Sequence, residues 1–413
     1  MPAEGKVSYD GYKVFRVPVM ENDVPYLQSV IQRLNLSTWK APKKGAFSDI
    51  QVAPNQLGAF ERAMRGRSFE VMHEDLGASI ADEGNFQAYA AGSANDTYFQ
   101  SFHSYNDHLQ WMRDMAAQYS SNVKVVTSGT TGEGNTITGL HIFGSSGGGA
   151  KPAVVFHGTV HAREWIVAMV SFLLTDHPRK TLEYISKELI TKYPTDSAIK
   201  AVVDKYDFYI FPIVNVDGFK YSQTTDRMWR KNRGRNQGST CVGTDNNRNW
   251  PYKWDGAGSS TSPCSETYRG ASAGNTPEVK SYVSSLQKIK QSQGIKLYID
   301  WHSFGQYFMT PYGYSCSLVP PNNNDLQSLA KGASAAIQRI HGKAFRFGPV
   351  CNTIYQVAGG SVDWAQDVLK ADNVFTIELR DTGRYGFIAP PAEIVPSGQE
   401  SFAGAMYLFQ NMK

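Results

Sequence analysis

The chain has 413 residues, more than one small hydrophobic core needs and enough for two domains. Apolar residues make up 41% and charged residues 19%, a globular balance that excludes a disordered or fibrous chain. The net charge of +4 is scattered, not gathered in basic blocks, and no apolar run approaches the roughly 20 residues that span a bilayer, so neither a nucleic-acid nor a membrane partner is expected.

The first ~90 residues read as a small separate domain. Tyr12 to Val19 alternates like a strand, and Glu21 to Leu36 places Val24, Leu27, Val30, Ile31 and Leu34 at helical spacing. Thr38–Lys43 and Phe47–Val52 read as two strands around a Lys-Lys-Gly turn. Pro54 opens a second helix carrying Leu57, Phe60 and Met64, and Phe69–Met72 is a last strand. The order βαββαβ predicts a small antiparallel sheet with two helices on one face. A connecting helix is expected over residues 75–90, followed by the small, polar stretch Ala90-Ala-Gly-Ser-Ala-Asn-Asp-Thr, the composition of a protease-accessible boundary.

Beyond Tyr98 the pattern changes. Helical stretches at Asp107–Gln118, Ile166–Leu174 and Asp196–Asp204 alternate with apolar runs at Ala153–His157, Tyr206–Val214, Ile295–Asp300 and Val374–Glu378. Runs apolar throughout are strands buried on both faces, so an α/β sheet with helices on each side is expected, its site at the C-terminal strand ends.

Chemistry gathers at those ends. Of the histidines, His161 has a Glu three residues on, Glu164, and this pair can offer one nitrogen and one oxygen to a zinc ion. His302 follows the run ending at Asp300 and is the best third ligand; His103, His108, His141, His177 and His341 are read as structural. Asp245-Asn-Asn-Arg-Asn is a dense polar loop, and Met228-Trp-Arg-Lys-Asn-Arg233 adds two guanidinium groups; either could grip a carboxylate, and either could be a solvated basic loop. Glu378 ends a strand and is a candidate general base or a partner for Arg380. Four cysteines, none in a Cys-x-x-Cys pair, fit two disulfides with three pairings open, or four free thiols. The start, Met1-Pro-Ala-Glu-Gly-Lys, carries no apolar signal region, which fits a cytosolic protein or one whose signal peptide has been removed. Two sequons, Asn35-Leu-Ser and Asn95-Asp-Thr, are compatible with secretion.

From Tyr98 onward the chain resembles the A/B-type metallocarboxypeptidases. The resemblance rests on ordered blocks, among them His161-Ala-Arg-Glu-Trp, Asn215-Val-Asp-Gly-Phe, Met228-Trp-Arg-Lys-Asn-Arg, Asp245-Asn-Asn-Arg-Asn-Trp, Asp300-Trp-His-Ser, Gly359-Gly-Ser-Val-Asp-Trp and Glu378-Leu-Arg-Asp-Thr-Gly-Arg-Tyr-Gly-Phe. The N-terminal segment is similar to the family's pro-domain. The resemblance implies a zymogen: an activation pro-domain over 1–92 with its linker, and a catalytic domain over 93–413 built on a mixed eight-stranded sheet. It implies one Zn²⁺ held by His161, Glu164 and His302, with Asp245 orienting His161; a His₂Glu set is the established catalytic zinc pattern of the A-type enzymes. It implies Glu378 as general base, Arg233 on the scissile carbonyl, Asn247, Arg248 and Tyr355 on the substrate's free carboxylate, and Arg163 in a neighbouring subsite. Val362, Val350, Val357, Met309, Gly313 and Thr376 are implied as walls of the pocket for the last side chain. An apolar floor leaves a Lys charge unpaired, so aromatic and large aliphatic residues are the expected preference.

The resemblance also implies disulfides Cys241–Cys264 and Cys316–Cys351, hence secretion. Peptide or protein C-termini are the expected substrates, an endoprotease the expected activator, and a monomer the expected state. Two departures stand out. Phe304 occupies a position where many relatives have Tyr, and the stretch Ala90–Asp96 has no Lys or Arg, so activation by a protease other than trypsin, such as a subtilisin-like one, is expected. A B-type or mixed specificity is the main rival, which Val362 disfavours. A binding-only relative would have lost ligands or base, and an endopeptidase would carry His-Glu-x-x-His, absent here.

Overall fold

The computed structural model describes residues 5–84, 86, 88–92, 96–169 and 182–413. The end of the helix expected over 166–174, His177, Asn95 and the boundary stretch 93–95 lie outside the described residues.

Four strands, β1 (Lys13–Val19), β2 (Ser37–Lys40), β3 (Ala46–Val52) and β4 (Glu70–His73), form an antiparallel sheet in the order β2-β3-β1-β4. Phe15, Val17 and Val19 of β1 share one core with Ile50 and Val52 of β3, Leu27 and Val30 of the helix Val24–Arg33, and Phe60 of the helix Leu57–Ala63. Because side chains alternate along a strand, Val14 and Arg16 face the opposite way. That second face is also covered. Val14 packs in a cluster with Trp39, Leu76, Met228, Phe304 and Phe387, and Arg16 forms a buried two-pronged pair with Asp49. The strand is therefore buried on both sides, because the small sheet is sandwiched between its own helices and the rest of the chain.

The large sheet contains β5 (Val123–Thr130), β6 (Thr136–Ile142), β7 (Ala153–Gly158), β8 (Asp207–Phe211), β9 (Ile295–His302), β10 (Tyr307–Thr310), β11 (Arg346–Pro349) and β12 (Asn373–Glu378). The order is β11-β10-β12-β9-β7-β8-β6-β5. β12, β9, β7 and β8 run parallel in the middle, and every residue of β7 is buried. Helices such as Tyr105–Gln118, Pro277–Gln293, Asn323–His341 and Pro391–Asn411 cover the sheet. The helix Tyr105–Gln118 is started by a capping box between Ser104 and Asp107. β8 stops at Phe211, not at Val214, because Pro212 cannot donate to the ladder.

Disulfides join Cys241 to Cys264 and Cys316 to Cys351. No helix among the described residues is long and apolar enough to cross a membrane.

The connecting helix is shorter than expected, Leu76–Asp82, capped by the Asp75 side chain on Ala78 N–H. It ends because Gly84 takes a left-handed conformation (φ +88°) and Glu83 turns inward. Glu83 accepts two hydrogen bonds of 2.6 Å from Nε and Nη2 of Arg227. Arg227 also donates to the carbonyls of Arg163 and Phe387, and its guanidinium lies 3.6 Å from the Trp165 ring. Near the start of the chain, the Tyr9 hydroxyl donates to Asp226 at 2.6 Å.

One close approach tests the large sheet. A Cβ on Gly139 in β6 would lie 2.4 Å from the Ile210 carbonyl oxygen of β8 and 2.7 Å from the Phe211 ring. Gly139→Ala is expected to lower stability by about 1–3 kcal/mol, read as a lower denaturant midpoint of the purified chain.

Candidate active site

Register places the site. β9 and β12 are parallel neighbours, and their last residues, His302 and Glu378, are Cα partners. β7 flanks β9 on the other side, with Gly158 opposite Trp301, so the chain leaving β7 reaches the same sheet end with His161 and Glu164. These two lie on a turn, and Glu164 is the residue before the short helix Trp165–Ala168.

The three side chains converge. His161 Nδ1 is 2.8 Å from Glu164 Oε1, His302 Nδ1 is 3.1 Å from Glu164 Oε2, and the two Nδ1 atoms are 3.2 Å apart. All three residues are buried, and their donor atoms lie within 4.8 Å of one another. Two imidazole nitrogens and a carboxylate oxygen converging in this way form a donor set that could hold a metal ion. Charge follows the same logic. Burial raises the Glu164 carboxyl, but His161 and His302 outweigh it and hold it at about 2. Burial lowers the His302 imidazole, yet Asp300 and Glu164 lift it well above its usual range.

Each ring is braced from behind. His161 Nε2 is 3.2 Å from Asp245 Oδ1, and His302 Nε2 is 3.0 Å from Asp300 Oδ1. Braced Nε2 atoms leave both Nδ1 atoms for a cation, so nitrogen, nitrogen and oxygen donors with carboxylate supports fit a zinc ion. Asp245 is itself gripped by Arg230, whose Nη2 donates to Oδ2 at 2.8 Å. Burial raises the Asp245 carboxyl, but Arg230, His161 and Arg248 pull it well below its usual range.

One cavity joins this cluster to Glu378, Asn247, Arg248 and Tyr355, and its apolar wall includes Val350, Val357, Val362, Met309, Gly313 and Thr376. Arg248 is oriented by two backbone carbonyls, Gly258 to Nε (2.7 Å) and Asn247 to Nη1 (2.9 Å). Asn247 bridges β9 to the helix Ser361–Asp367: Nδ2 donates to Asp300 and Oδ1 accepts from Ser361 N–H. Burial pushes the Glu378 carboxyl up to about 8, against the opposing pull of His302. The alternative that Glu378 serves Arg380 is removed, since Arg380 pairs with Glu393 and Glu400.

One arginine sits elsewhere than the sequence suggested. Arg233 does not line the cavity. Its guanidinium lies over the rings of Tyr221 (3.5 Å) and Trp229 (4.6 Å), and the member of its hexapeptide that lines the cavity is Arg230. Arg163 is buried beside the cavity, 4.3 Å from the Phe387 ring and 3.4 Å from both the Met228 carbonyl and Glu266.

The N-terminal unit reaches into the same space. Trp39, Lys40, Ala41, Lys43, Ala46 and Phe47 line the cavity together with the metal cluster. Trp39 packs against Phe304 and Phe387, Lys40 Nζ lies 4.2 Å from the Phe304 ring, and Lys43 donates to the Asn352 carbonyl.

Known proteins share this arrangement. Residues 108–404 match the family model for zinc carboxypeptidase, and residues 15–83 match that for carboxypeptidase activation peptide. The chain belongs to the zinc carboxypeptidase family. A metallocarboxypeptidase A-like protein of Trichophyton verrucosum is 49% identical, covering 98% of this chain and 94% of its own. Carboxypeptidase A2 of Rattus norvegicus is 34% identical over 92% of this chain and 88% of its own. The crystal structure of thrombin activatable fibrinolysis inhibitor superposes with a TM-score of 0.87 at 29% identity, covering 98% of this chain and 99% of that one.

Membership makes this chain a carboxypeptidase with an activation peptide and implies zinc, peptide substrates and proteolytic activation. The cavity is also lined by residues to which the sequence reading gave no role: Arg230, Asp300 and, from the activation peptide, Trp39 and Lys40. Arg230 had a readable signal, a guanidinium beside Trp229 in the Met228–Arg233 block, but nothing in the sequence ranked it above Arg233.

The brace on His161 gives a direct test. Asp245→Asn removes the charge that holds the ring and is expected to weaken zinc binding by about 10- to 100-fold, measured by competition with a chelator.

Proposed function

We propose that this chain is a secreted, monomeric zymogen whose catalytic domain, residues 93–413, removes single aromatic or large aliphatic residues from peptide C-termini after the 1–92 segment is cut away. One observation carries the reading: the metal-ligand cluster, Glu378, Arg230 and Arg248 share a single cavity with an apolar wall. The disulfides fit an oxidising, extracellular compartment.

His161, Glu164 and His302 would hold one zinc ion, which would supply Lewis-acid activation of water and of the scissile carbonyl. Glu378 takes the proton from the attacking water and delivers it to the amine as the C–N bond breaks. Arg230, held in place by Asp245, donates to the carbonyl oxygen as negative charge builds on it. Arg248, Asn247 and Tyr355 bind the free carboxylate of the last residue. An internal peptide bond offers no such carboxylate, which makes the activity exopeptidic. Val362 and its apolar neighbours receive the side chain, and a Lys there would leave its charge desolvated and unpaired.

The 1–92 segment blocks the enzyme by filling the cavity mouth with Trp39 and Lys40. The test is hydrolysis of a blocked dipeptide ending in Phe, before and after limited proteolysis, with and without a zinc chelator. Chelator-sensitive activity that rises sharply after a cut within residues 85–101 is expected. A cleanly cut, zinc-loaded protein with no activity on Phe would overturn the A-type reading.

Two variants probe the roles separately. Arg230→Ala is expected to lower kcat by roughly 10²–10³-fold, with Arg233→Ala close to wild type; equal losses would return the role to Arg233. Val362→Asp puts a carboxylate in the apolar pocket and is expected to reverse the order of kcat/KM for C-terminal Phe and Lys peptides.

A further inference from the structure

His157 contributes nothing to the cavity, yet it stands one strand behind the metal ligands. It is fully buried in β7 and lies in register beside Asp300 of β9. Its Nε2 is 3.0 Å from Asp300 Oδ1, and that same oxygen is 3.0 Å from Nε2 of His302. The other oxygen of Asp300 accepts from Ser361 Oγ at 2.5 Å and Asn247 Nδ2 at 3.0 Å. Asp300 is thus held on several sides, and His157 is the contact furthest from solvent and substrate.

The His157 ring has little freedom. It is stacked on Tyr282, with ring centroids 4.9 Å apart and planes 6° from parallel, and the Tyr298 hydroxyl lies 2.9 Å from Nε2. Nδ1 has no protein partner among the described residues, so Nε2 is the ring atom through which His157 meets both the Tyr298 hydroxyl and Asp300, and the tautomer with its hydrogen on Nε2 is the one that can donate to Asp300. A buried imidazole costs free energy relative to an apolar ring of similar size unless that hydrogen bond is made. Space filling alone would be served better by Phe.

We propose that His157 is a positioning residue for the metal centre: its Nε2–H holds Asp300 in the rotamer that fixes the ring of His302 with Nδ1 toward the metal. The proposal rests on His161, Glu164 and His302 being the zinc ligands. It extends the bracing of the site to a third layer, since Asp300 braces His302 and His157 braces Asp300. The two ligand histidines then differ in kind. Behind His161 stands Asp245, backed by the guanidinium of Arg230, a group in the cavity; behind His302 stands a carboxylate backed by an imidazole sealed in the sheet.

The test uses the full chain and two ions, Zn²⁺ by chelator competition and Co²⁺ by its visible absorption spectrum. His157→Phe keeps the stack on Tyr282 and removes the donor. It is expected to weaken zinc binding by about 10- to 100-fold and to change the cobalt spectrum. His157→Gln, which returns an N–H toward Asp300, is expected to recover most of the affinity and the wild-type spectrum. A folded Phe variant that binds zinc as tightly as wild type overturns the proposal, and so does a Gln variant as weak as Phe, which would reduce His157 to packing. If the Phe variant does not fold, His157→Asn, whose shorter amide stops short of Asp300, takes its place. His302→Ala is the control: zinc binding unaffected by that change would remove the metal-site reading and this proposal with it, whatever the His157 variants do.

Discussion

The site depends on three buried side chains whose donor atoms converge on one point where a metal ion could lie. Two imidazoles and a carboxylate meet within hydrogen-bond distance at the end of the large sheet. The surrounding fold has to build such a cluster. It exists because β7 and β9 are locked side by side in register, because Asp245 and Asp300 hold the rings from behind, and because those carboxylates are anchored in turn. The rigid parallel strands convert folding energy into a site that a metal ion can enter without further ordering.

The same sheet end sets the relation between metal and substrate groups. Glu378 ends the strand next to that of His302, so base and ligand are neighbours by register, not by loop conformation. Arg230 is tied to Asp245, so a group in the cavity and the brace of a ligand histidine share one carboxylate. A change in either propagates to the other, and single substitutions here will not behave additively.

The elements that could be read from the sequence were those with a strong local pattern. The apolar runs of β7, β9 and β12 are buried on both faces and stood out, as did His161, Glu164, His302 and Glu378 at or just past their ends. β10 and β11 are four residues each, and β5 exposes much of its length, so none carried a pattern. The choice between Arg230 and Arg233 could not be made locally, because both belong to one hexapeptide and only their partners separate them: Asp245 for one, the rings of Tyr221 and Trp229 for the other. The connecting helix ended early for a similar reason, since Glu83 finds its arginine far along the chain. Asp300 read as the end of an apolar run, and its contact with His157 came only from the neighbouring strand.

The pair between Glu83 and Arg227 has a further consequence. It lies close to the boundary stretch, on the activation-peptide side, so a cut there leaves the whole interface intact: Glu83 on Arg227, Tyr9 on Asp226, Trp39 on Phe387. What the cut removes is connectivity. Before it, the two parts meet at the effective concentration of a tethered pair, on the order of millimolar for a short tether; after it, they are an ordinary bimolecular complex. Their separation is then governed by dilution, and on the proposed zymogen reading a protein cut while concentrated stays closed until it spreads into a larger volume.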